Sequence, residues 1–217
     1  MLSPMKTLLC FGDSNTHGTV PMHTPDEVAR YGYSERWPGV LRAALSPAWC
    51  VLEEGLPGRT SALDDPEEGA DRNALRYWQA CLQSHRPLDA VVLMLGTNDL
   101  KARFQASPQS IAQGVEELIA ICWRQTPPGG AHPLLLLVAP APIRELGFFS
   151  DIFADGAAKS QQLSQVFGQV AERQRTLFLD AGAHCAVSAV DGIHLDAQAH
   201  QALGQAVAAT LAQALVA

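Results

Sequence analysis

The chain has 217 residues, of which 47% are hydrophobic and 17% charged; this ordinary globular composition excludes a disordered chain. Its net charge of −7 and pI near 5.4 exclude the clustered basic surface that nucleic-acid binding requires. Near the start, the apolar run Leu8–Phe11 is too short for a signal-peptide core or a membrane span. We expect a single domain over residues 1–217, cytoplasmic, with neither a nucleic-acid nor a membrane partner.

The five cysteines, an odd number, include no close pair of the kind that indicates zinc or redox chemistry. Most have apolar neighbours, where a free cysteine packs as a small hydrophobic residue. We therefore predict no cofactor and no metal site. Histidines with no matching partner in the sequence are expected at the surface or in packing contacts: His23, His85, His132, His184 and His200.

Short apolar segments bounded by turn or charged residues predict buried strands. They are Lys6–Phe11, Trp49–Glu54, Ala90–Leu95, Leu134–Ala139 and Thr176–Leu179. They do not alternate cleanly, which is typical of a parallel sheet covered on both faces by helices.

Segments with helical period lie between the strands. They are Arg36–Leu45, a helix capped by Ser107 with Pro108 in its first turn, Gly156–Arg173, and a helix capped by Asp196. Alternating strands and helices predict an α/β fold, a three-layer α/β/α sandwich with a five-stranded, mostly parallel sheet. Two stretches rich in Gly, Pro, Asp and Glu, 19–35 and 57–72, fit neither element and follow strands, where α/β folds usually build sites.

The segment Gly12–Gly18 follows the first strand and carries the first candidate nucleophile, Ser14. A serine at this point lies at the carboxyl edge of the sheet, and the flanking glycines allow a sharp turn. A Gly-Asp-Ser turn also occurs without catalytic function, so Ser14 needs support from elsewhere in the chain.

That support is the pair Asp191 and His194, just before the last predicted helix. A serine hydroxyl becomes a nucleophile when a histidine takes its proton, and a carboxylate must orient that histidine. Three-residue spacing in a loop allows both to come from one segment.

Two further loops offer donors for an oxyanion, which together with the Ser14 N–H make an oxyanion hole. Asn98 follows the third strand and offers its side-chain amide, and Gly58 follows the second and offers an unobstructed N–H. Three such loops, each after a different strand, are hard to explain as ordinary turns.

These four blocks resemble, in order, those of the SGNH (GDSL-type) hydrolases: Gly12-Asp13-Ser14, Gly58, Gly96-Thr97-Asn98-Asp99 and Asp191-Gly192-Ile193-His194. The resemblance implies a flavodoxin-like fold and a serine esterase acting on small-molecule carboxylic esters, with Ser14, His194 and Asp191 as triad. Four longer segments resemble the bacterial arylesterase and acyltransferase branch: Leu9–Ser14, Glu53–Leu56, Met94–Asp99 and Val190–His194. This resemblance implies short acyl groups, aryl or small alcohols and a homo-oligomer. Transfer of the acyl group to an acceptor other than water, including perhydrolysis, is the alternative use of the same acyl-enzyme.

Substrate-pocket residues are expected beside these blocks. Asn15 and His17 depart from the apolar and aromatic residues of the acyltransferase branch, so its pocket shape is not carried over. The cluster Phe148–Phe153 predicts either a short helix on the core or a cap over the pocket and a subunit contact, with Phe149 and Phe153 facing substrate. Ile193 is expected near the same pocket. Lys101 and Arg103 are expected as solvated charges, with contact to a polar part of the substrate as the alternative.

Three other classes fit the residues less well. A metal-dependent phosphoesterase would draw ligands from several of the same blocks, but its closely spaced Asp-x-His and Gly-Asp-His-Gly motifs are missing. The Gly-x-Ser-x-Gly hydrolases need a glycine where Thr16 stands. A silent binding module that keeps the fold would have lost a triad or oxyanion residue, and all are present.

Overall fold

Five parallel strands form the central sheet of the computed structural model, which describes residues 5–126 and 130–216. The strands are β1 (Lys6–Gly12), β2 (Trp49–Gly55), β3 (Ala90–Met94), β4 (Leu134–Ala139) and β5 (Leu177–Asp180). Their order is β2-β1-β3-β4-β5, and each neighbouring pair is parallel. The five predicted strands are confirmed, because each end agrees to within one residue. Since β1 lies between β2 and β3, the loops that follow these three strands meet at one edge.

Seven α-helices in the described residues cover both faces of the sheet. They are α1 (Ser14–His17), α2 (Trp37–Leu45), α3 (Ala74–Ser84), α4 (Pro108–Arg124), α5 (Phe149–Ile152), α6 (Gly156–Gln174) and α7 (Ala197–Val216). Buried residues of α3, α4 and α6 pack on one face, and those of α2 and α7 on the other. The predicted three-layer sandwich is therefore confirmed. No helix in the parts of the chain described is long and apolar enough to cross a membrane.

Alternate side chains of a strand enter different cores. In β1, Leu9 and Phe11 belong to the core beneath α3, α4 and α6, whereas Leu8 and Cys10 belong to the core beneath α2 and α7. Because both faces are covered, the strand is apolar throughout and shows no polar alternation.

The two helix caps predicted from the sequence, Ser107 and Asp196, are confirmed. Ser107 Oγ accepts a hydrogen bond from the Ser110 N–H at 3.1 Å, and Pro108 occupies the first helical position of α4. Asp196 Oδ1 accepts from the Ala199 N–H at 2.8 Å at the start of α7. These bonds satisfy backbone donors that have no partner inside the helix.

Helix α3 is absent from the sequence prediction. Its fully buried residues are few, Trp78 and Cys81 among them, and it follows the irregular stretch 57–72. Its start is fixed by Asn73, whose Oδ1 accepts from the Leu75 N–H at 3.0 Å. A narrow buried stripe after a long loop gives too weak a periodic signal to distinguish a helix from more loop.

Candidate active site

The turn after β1 places Ser14 at the carboxyl edge of the sheet, as the first residue of α1. Gly12 is needed at the turn because a Cβ there would lie 2.1 Å from Thr16 Oγ1 and 2.6 Å from a carbonyl oxygen of β3. Asp13 caps α1, since its Oδ1 accepts from the Asn15 N–H at 2.9 Å. The turn thus holds the backbone around Ser14 from both sides.

Asp191 and His194 form a hydrogen-bonded pair, with 2.7 Å between Asp191 Oδ2 and His194 Nδ1. Asp191 Oδ1 accepts from the N–H groups of Ile193 and His194, and Oδ2 accepts from the Met22 N–H. Burial raises the pKa of Asp191, but the hydrogen bond from His194, its charge and these N–H groups outweigh burial and leave the pKa below its ordinary value. A charged carboxylate at Nδ1 fixes the proton there and leaves Nε2 as the acceptor.

Asn15 joins the turn that carries Ser14 (the serine turn, Gly12–Gly18) to the loop that carries Asp191 and His194 (the histidine loop, 191–195). Its Nδ2 donates to the Ile193 carbonyl at 3.1 Å, and its Oδ1 accepts from the Leu195 N–H at 2.9 Å. These two bonds hold the backbone on either side of His194. Asn15 is not among the residues that line the cleft. Its amide is already used by the loop, so the structure places it behind the site instead of in the predicted substrate pocket.

The loop after β3 forms hydrogen bonds with the loop after β2 through Asn98 and Asp99. Asn98 Nδ2 donates to the Arg59 carbonyl at 3.1 Å, and Asp99 accepts from the N–H and hydroxyl of Ser61. Gly58, next to Arg59, has a φ of +79°, a conformation that L side chains rarely adopt. Since an amide nitrogen carries two hydrogens, Asn98 keeps one donor beyond its bond to Arg59.

Two fully buried carboxylates support this edge of the sheet. Burial is the main cause that raises the pKa of Asp13 to about 6, and likewise that of Asp99 to about 6. Neither lines the cleft. Both act as scaffold, Asp13 through its helix cap and Asp99 through Ser61.

Ser14, Gly58, Asn98 and His194 line a single cleft of about 240 Å³. The structure therefore brings together the nucleophile, base and oxyanion donors predicted from four separate segments. Two other cavities, of about 210 and 580 Å³, lie near the amino ends of β3 and β4 and are lined by none of the predicted site residues.

One side of the cleft is apolar. The ring of Phe149 lies edge-on to the His194 ring at 5.7 Å and to the Phe153 ring at 5.8 Å. Phe153 and Ile193 are buried and line the cleft with Phe149. The cluster after β4 is thus both a short helix on the core and a wall of the cleft.

His17 does not line the cleft. Its ring nitrogen lies 3.2 Å from Thr19 Oγ1, and its carbonyl accepts from Arg30 Nε at 2.7 Å. Burial, with the positive charges of Arg30 and Arg36, lowers the pKa of His17. These contacts direct the ring to its own loop and away from the predicted pocket.

Charged residues form the other side of the cleft, which we call the polar side: Glu68, Arg72 and Lys101. The expectation that Lys101 is a solvated charge is wrong, because Lys101 is 4% exposed and its Nζ lies 3.4 Å from Asp65 Oδ2 and also contacts Glu68. No local pattern links a lysine after β3 to carboxylates more than thirty positions earlier, so the sequence carried no signal for it.

Arg103 extends these contacts into an ion-pair cluster, which consists of Asp65, Glu67, Glu68, Lys101 and Arg103. Arg103 Nη2 lies 2.6 Å from Asp65 and 2.8 Å from Glu68. Burial raises the pKa of Asp65, but the Arg103 hydrogen bond, two backbone N–H groups and the Lys101 charge lower it to about 2. The cluster fastens the irregular stretch 57–72 to the segment after β3.

Comparison with known proteins agrees with this geometry. The GDSL-like Lipase/Acylhydrolase family matches residues 10–202. No curated protein matches the chain significantly.

Solved structures resemble the chain over nearly its full length. Est24, a carbohydrate acetylesterase from Sinorhizobium meliloti, is 37% identical with a TM-score of 0.92, over 96% of this chain and 99% of its own. The native aryl esterase of M. smegmatis is 36% identical with a TM-score of 0.91, over 96% and 99%. A further carbohydrate acetylesterase family member from Sinorhizobium meliloti is 34% identical with a TM-score of 0.91, over 98% and 100%. With this family match and these neighbours, the chain belongs to the GDSL-like lipase/acylhydrolase (SGNH) family and is a serine esterase.

Proposed function

We propose that Ser14 is the nucleophile of this esterase, His194 its general base and Asp191 the carboxylate that orients His194. The observation that carries the proposal is the Asp191–His194 pair, 2.7 Å apart, on the cleft that Ser14 also lines. Among the described residues, no hydrogen bond joins Ser14 to His194. Catalytic hydrogen bonds in ligand-free enzymes often tighten only when substrate binds.

In the first half-reaction, His194 Nε2 takes the Ser14 hydroxyl proton as Ser14 Oγ attacks the ester carbonyl carbon. The tetrahedral intermediate collapses, the carbon–oxygen bond to the alcohol breaks, and His194 gives its proton to the departing alcohol. In the second, water loses a proton to His194 and attacks the acyl-enzyme, and the carboxylic acid leaves as Ser14 regains its proton.

The oxyanion formed in both steps is proposed to accept hydrogen bonds from the Ser14 N–H, the Gly58 N–H and Asn98 Nδ2. The support is that all three residues line the cleft and that the Asn98 amide is held by Arg59 with one hydrogen to spare. Donors already fixed by the scaffold need no reorganisation when charge develops.

The preferred substrates are proposed to be esters of short acyl groups with aryl or small alcohols. A cleft of about 240 Å³ with Phe149, Phe153 and Ile193 on its wall offers room for a small apolar group and little more. The M. smegmatis relative is an aryl esterase, which supports this choice.

A second candidate is an acetyl ester of a hydroxyl-rich alcohol such as a carbohydrate. The observation that favours it is the polar side of the cleft, where Glu68, Arg72 and Lys101 offer charged hydrogen-bonding groups to hydroxyls. Est24 and the second S. meliloti relative carry the name carbohydrate acetylesterase.

Ser14→Ala tests the nucleophile. We expect kcat for p-nitrophenyl acetate to fall roughly 10⁴–10⁶-fold without loss of fold, because triad members act as a unit. The matched control is Ser164→Ala, which removes a hydroxyl bonded to Asp180 away from the cleft. A Ser14→Ala rate close to that of the control would overturn the proposal.

Substrate class is tested with p-nitrophenyl esters of rising chain length and with acetylated sugars. We expect kcat/KM to fall beyond the shortest acyl chains. Adding an alcohol acceptor separates hydrolysis from acyl transfer, since transfer yields a new ester in place of the acid. A preference for long chains would contradict the proposed pocket.

Two further proposals concern the setting of the enzyme. All five cysteines are free, which supports a reducing compartment such as the cytoplasm.

Self-association is supported by the strong exposure of Val28 and Tyr33 in the irregular stretch 19–35. Sedimentation of the purified chain tests it, and a monomer at all concentrations contradicts it.

A further inference from the structure

A cluster of metal-type ligands lies outside the esterase cleft, between the end of β2 and helix α3. Cys81 and His85 are four residues apart, so they lie on one face of α3 and its C-terminal cap. Glu54, near the end of β2, meets them from the sheet. The sequence predicts only packing or surface positions for Cys81 and His85, because neither the cysteine spacing nor the histidine points to Glu54.

The three side chains each bring one potential ligand atom to the same place in the fold. One ligand atom from each, a Glu54 carboxylate oxygen, Cys81 Sγ and a His85 ring nitrogen, lies within 4.8 Å of both others. Glu54 Oε1 is 2.8 Å from His85 Nε2. Tetrahedral zinc with bonds of about 2.0–2.3 Å has its ligand atoms less than about 4 Å apart, so the side chains must draw closer together to bind an ion.

The chemical kinds of the three ligand atoms determine which metal ion would bind. Thiolate, imidazole and carboxylate together are ligands of zinc and its first-row neighbours, whereas magnesium and calcium require oxygen donors. We propose that Glu54, Cys81 and His85 bind one divalent transition-metal ion, with zinc preferred, at a site separate from the esterase cleft.

The three side chains differ in exposure to solvent in a way that lets an ion reach them. Cys81 is fully buried, while the side chains of Glu54 and His85 are 23% and 27% exposed. Solvent ions therefore reach the site past the carboxylate and imidazole, and the sulfur lies on the inner side. Tyr77, one turn before Cys81, has its hydroxyl 3.3 Å from Glu54 Oε2, and this hydroxyl or a water molecule completes four ligands.

Hydrogen bonds hold the group together without an ion: Glu54 pairs with His85, and the Tyr77 hydroxyl contacts both Glu54 and the Cys81 sulfur. A metal ion that coordinates sulfur displaces the thiol proton, which none of these hydrogen bonds does. Ligation by sulfur is therefore the feature that separates a metal site from a simple ion pair.

The bound ion would link α3 to the edge of the sheet that carries Gly58 and Asn98, the proposed oxyanion donors. The Glu54 carbonyl accepts a hydrogen bond from Arg59 Nη1, and the Arg59 carbonyl accepts one from Asn98. An ion that binds only the folded chain stabilises it by mass action. At about 100 times its Kd, we expect the melting temperature to rise by about 5–10 °C.

The test uses the full chain stripped with a chelator and titrated with Zn²⁺ by calorimetry, then with Co²⁺ as a spectroscopic probe. We expect one ion per chain and a near-ultraviolet band from sulfur-to-cobalt charge transfer. Cys81→Ser should abolish the band, and His85→Gln should raise the Kd at least tenfold.

Cys185→Ser is the matched control, because it removes a half-buried thiol outside the cluster and should leave binding unchanged. If Cys81→Ser fails to fold, His85→Gln changes only a partly exposed side chain and still tests the site. Lack of stoichiometric uptake by the wild-type chain, or equal uptake in His85→Gln, would overturn the proposal. Since the readouts are binding and melting, they stand apart from the outcome of Ser14→Ala.

Discussion

The histidine loop and the ion-pair cluster border the same cleft but are held by different forces. Asp191 and Asn15 fix the loop around His194 through buried hydrogen bonds, and the backbone groups they bond are neutral. Asp65 and Arg103 hold the stretch 57–72 through charges, some of them partly solvent-exposed. Buried hydrogen bonds depend on geometry and little on salt, whereas ion pairs titrate and are screened. The position of His194, the proposed base, should thus respond less to salt than the polar side does.

Of the variants that test this comparison, Asp191→Asn has the largest expected effect, because it keeps the shape of the loop but not its charge. An amide donates a proton where Asp191 accepts one, so His194 is held in the wrong tautomer. We expect kcat for an aryl acetate to fall by about 10⁴-fold. Steady-state kinetics with circular dichroism measures this, and an unchanged kcat in a folded variant would contradict the proposed role of Asp191 in orienting His194.

Asn98→Ala should have the next largest effect, because it removes one proposed oxyanion donor. We expect a loss of roughly 10²–10³-fold in kcat with little change in KM. The control is Asn73→Ala, which removes an amide that caps α3 and should lower stability without changing kcat. Equal kinetics for both variants would show that Asn98 acts only as scaffold.

Asn15→Ala separates positioning of the base from the fold. Without its two bonds to the histidine loop, His194 shifts relative to Ser14, and a displacement of about 1 Å costs up to roughly 10²-fold in kcat. KM should change little, since Asn15 does not line the cleft. Thr16→Val is the control: Thr16 is equally buried, and its hydroxyl has no partner among the residues described. A change in KM alone would instead place Asn15 at the substrate.

Asp65→Asn should act on stability and leave kcat for p-nitrophenyl acetate nearly unchanged. The pKa of Asp65 is about 2 in the folded chain, below its ordinary value of 3.8. Its contribution, on the order of 2 kcal/mol, is therefore full above pH 4 and lost as the pH falls toward 2.

Urea unfolding at several pH values measures this contribution. The difference between wild type and Asp65→Asn should shrink below pH 4, whereas Asp71→Asn, whose side chain is 70% exposed, should make little difference at any pH. A difference for Asp65→Asn that does not depend on pH would mean that packing, and not charge, holds the cluster.

Much of the active edge follows from the sequence because the topology is simple. The carboxyl ends of parallel strands meet at one edge, so Ser14, Gly58 and Asn98 were expected together once their strands were identified. Asp191 and His194 were expected as a pair because a short loop carries both. In each case, the informative pattern is local and the fold brings the pieces together.

What the sequence did not reveal depends on pairings between distant residues. Nothing near Lys101 indicates Asp65, and nothing near Asn15 indicates the carbonyl of Ile193. The prediction that Asn15 faces substrate assumed that a residue next to the nucleophile points into the cleft, whereas its amide turns toward the backbone of another loop. Such partners become visible only after the chain is folded.

The link from Asn15 to Ile193 and Leu195 also bears on when the enzyme becomes active. Its two bonds span 178 and 180 positions of the chain. During synthesis, the serine turn leaves the ribosome long before the histidine proposed to activate it, and a domain generally folds as a unit. With His194 as the proposed base, we therefore expect a ribosome-bound chain to be inactive on esters until the segment around His194 has emerged and closed on the sheet.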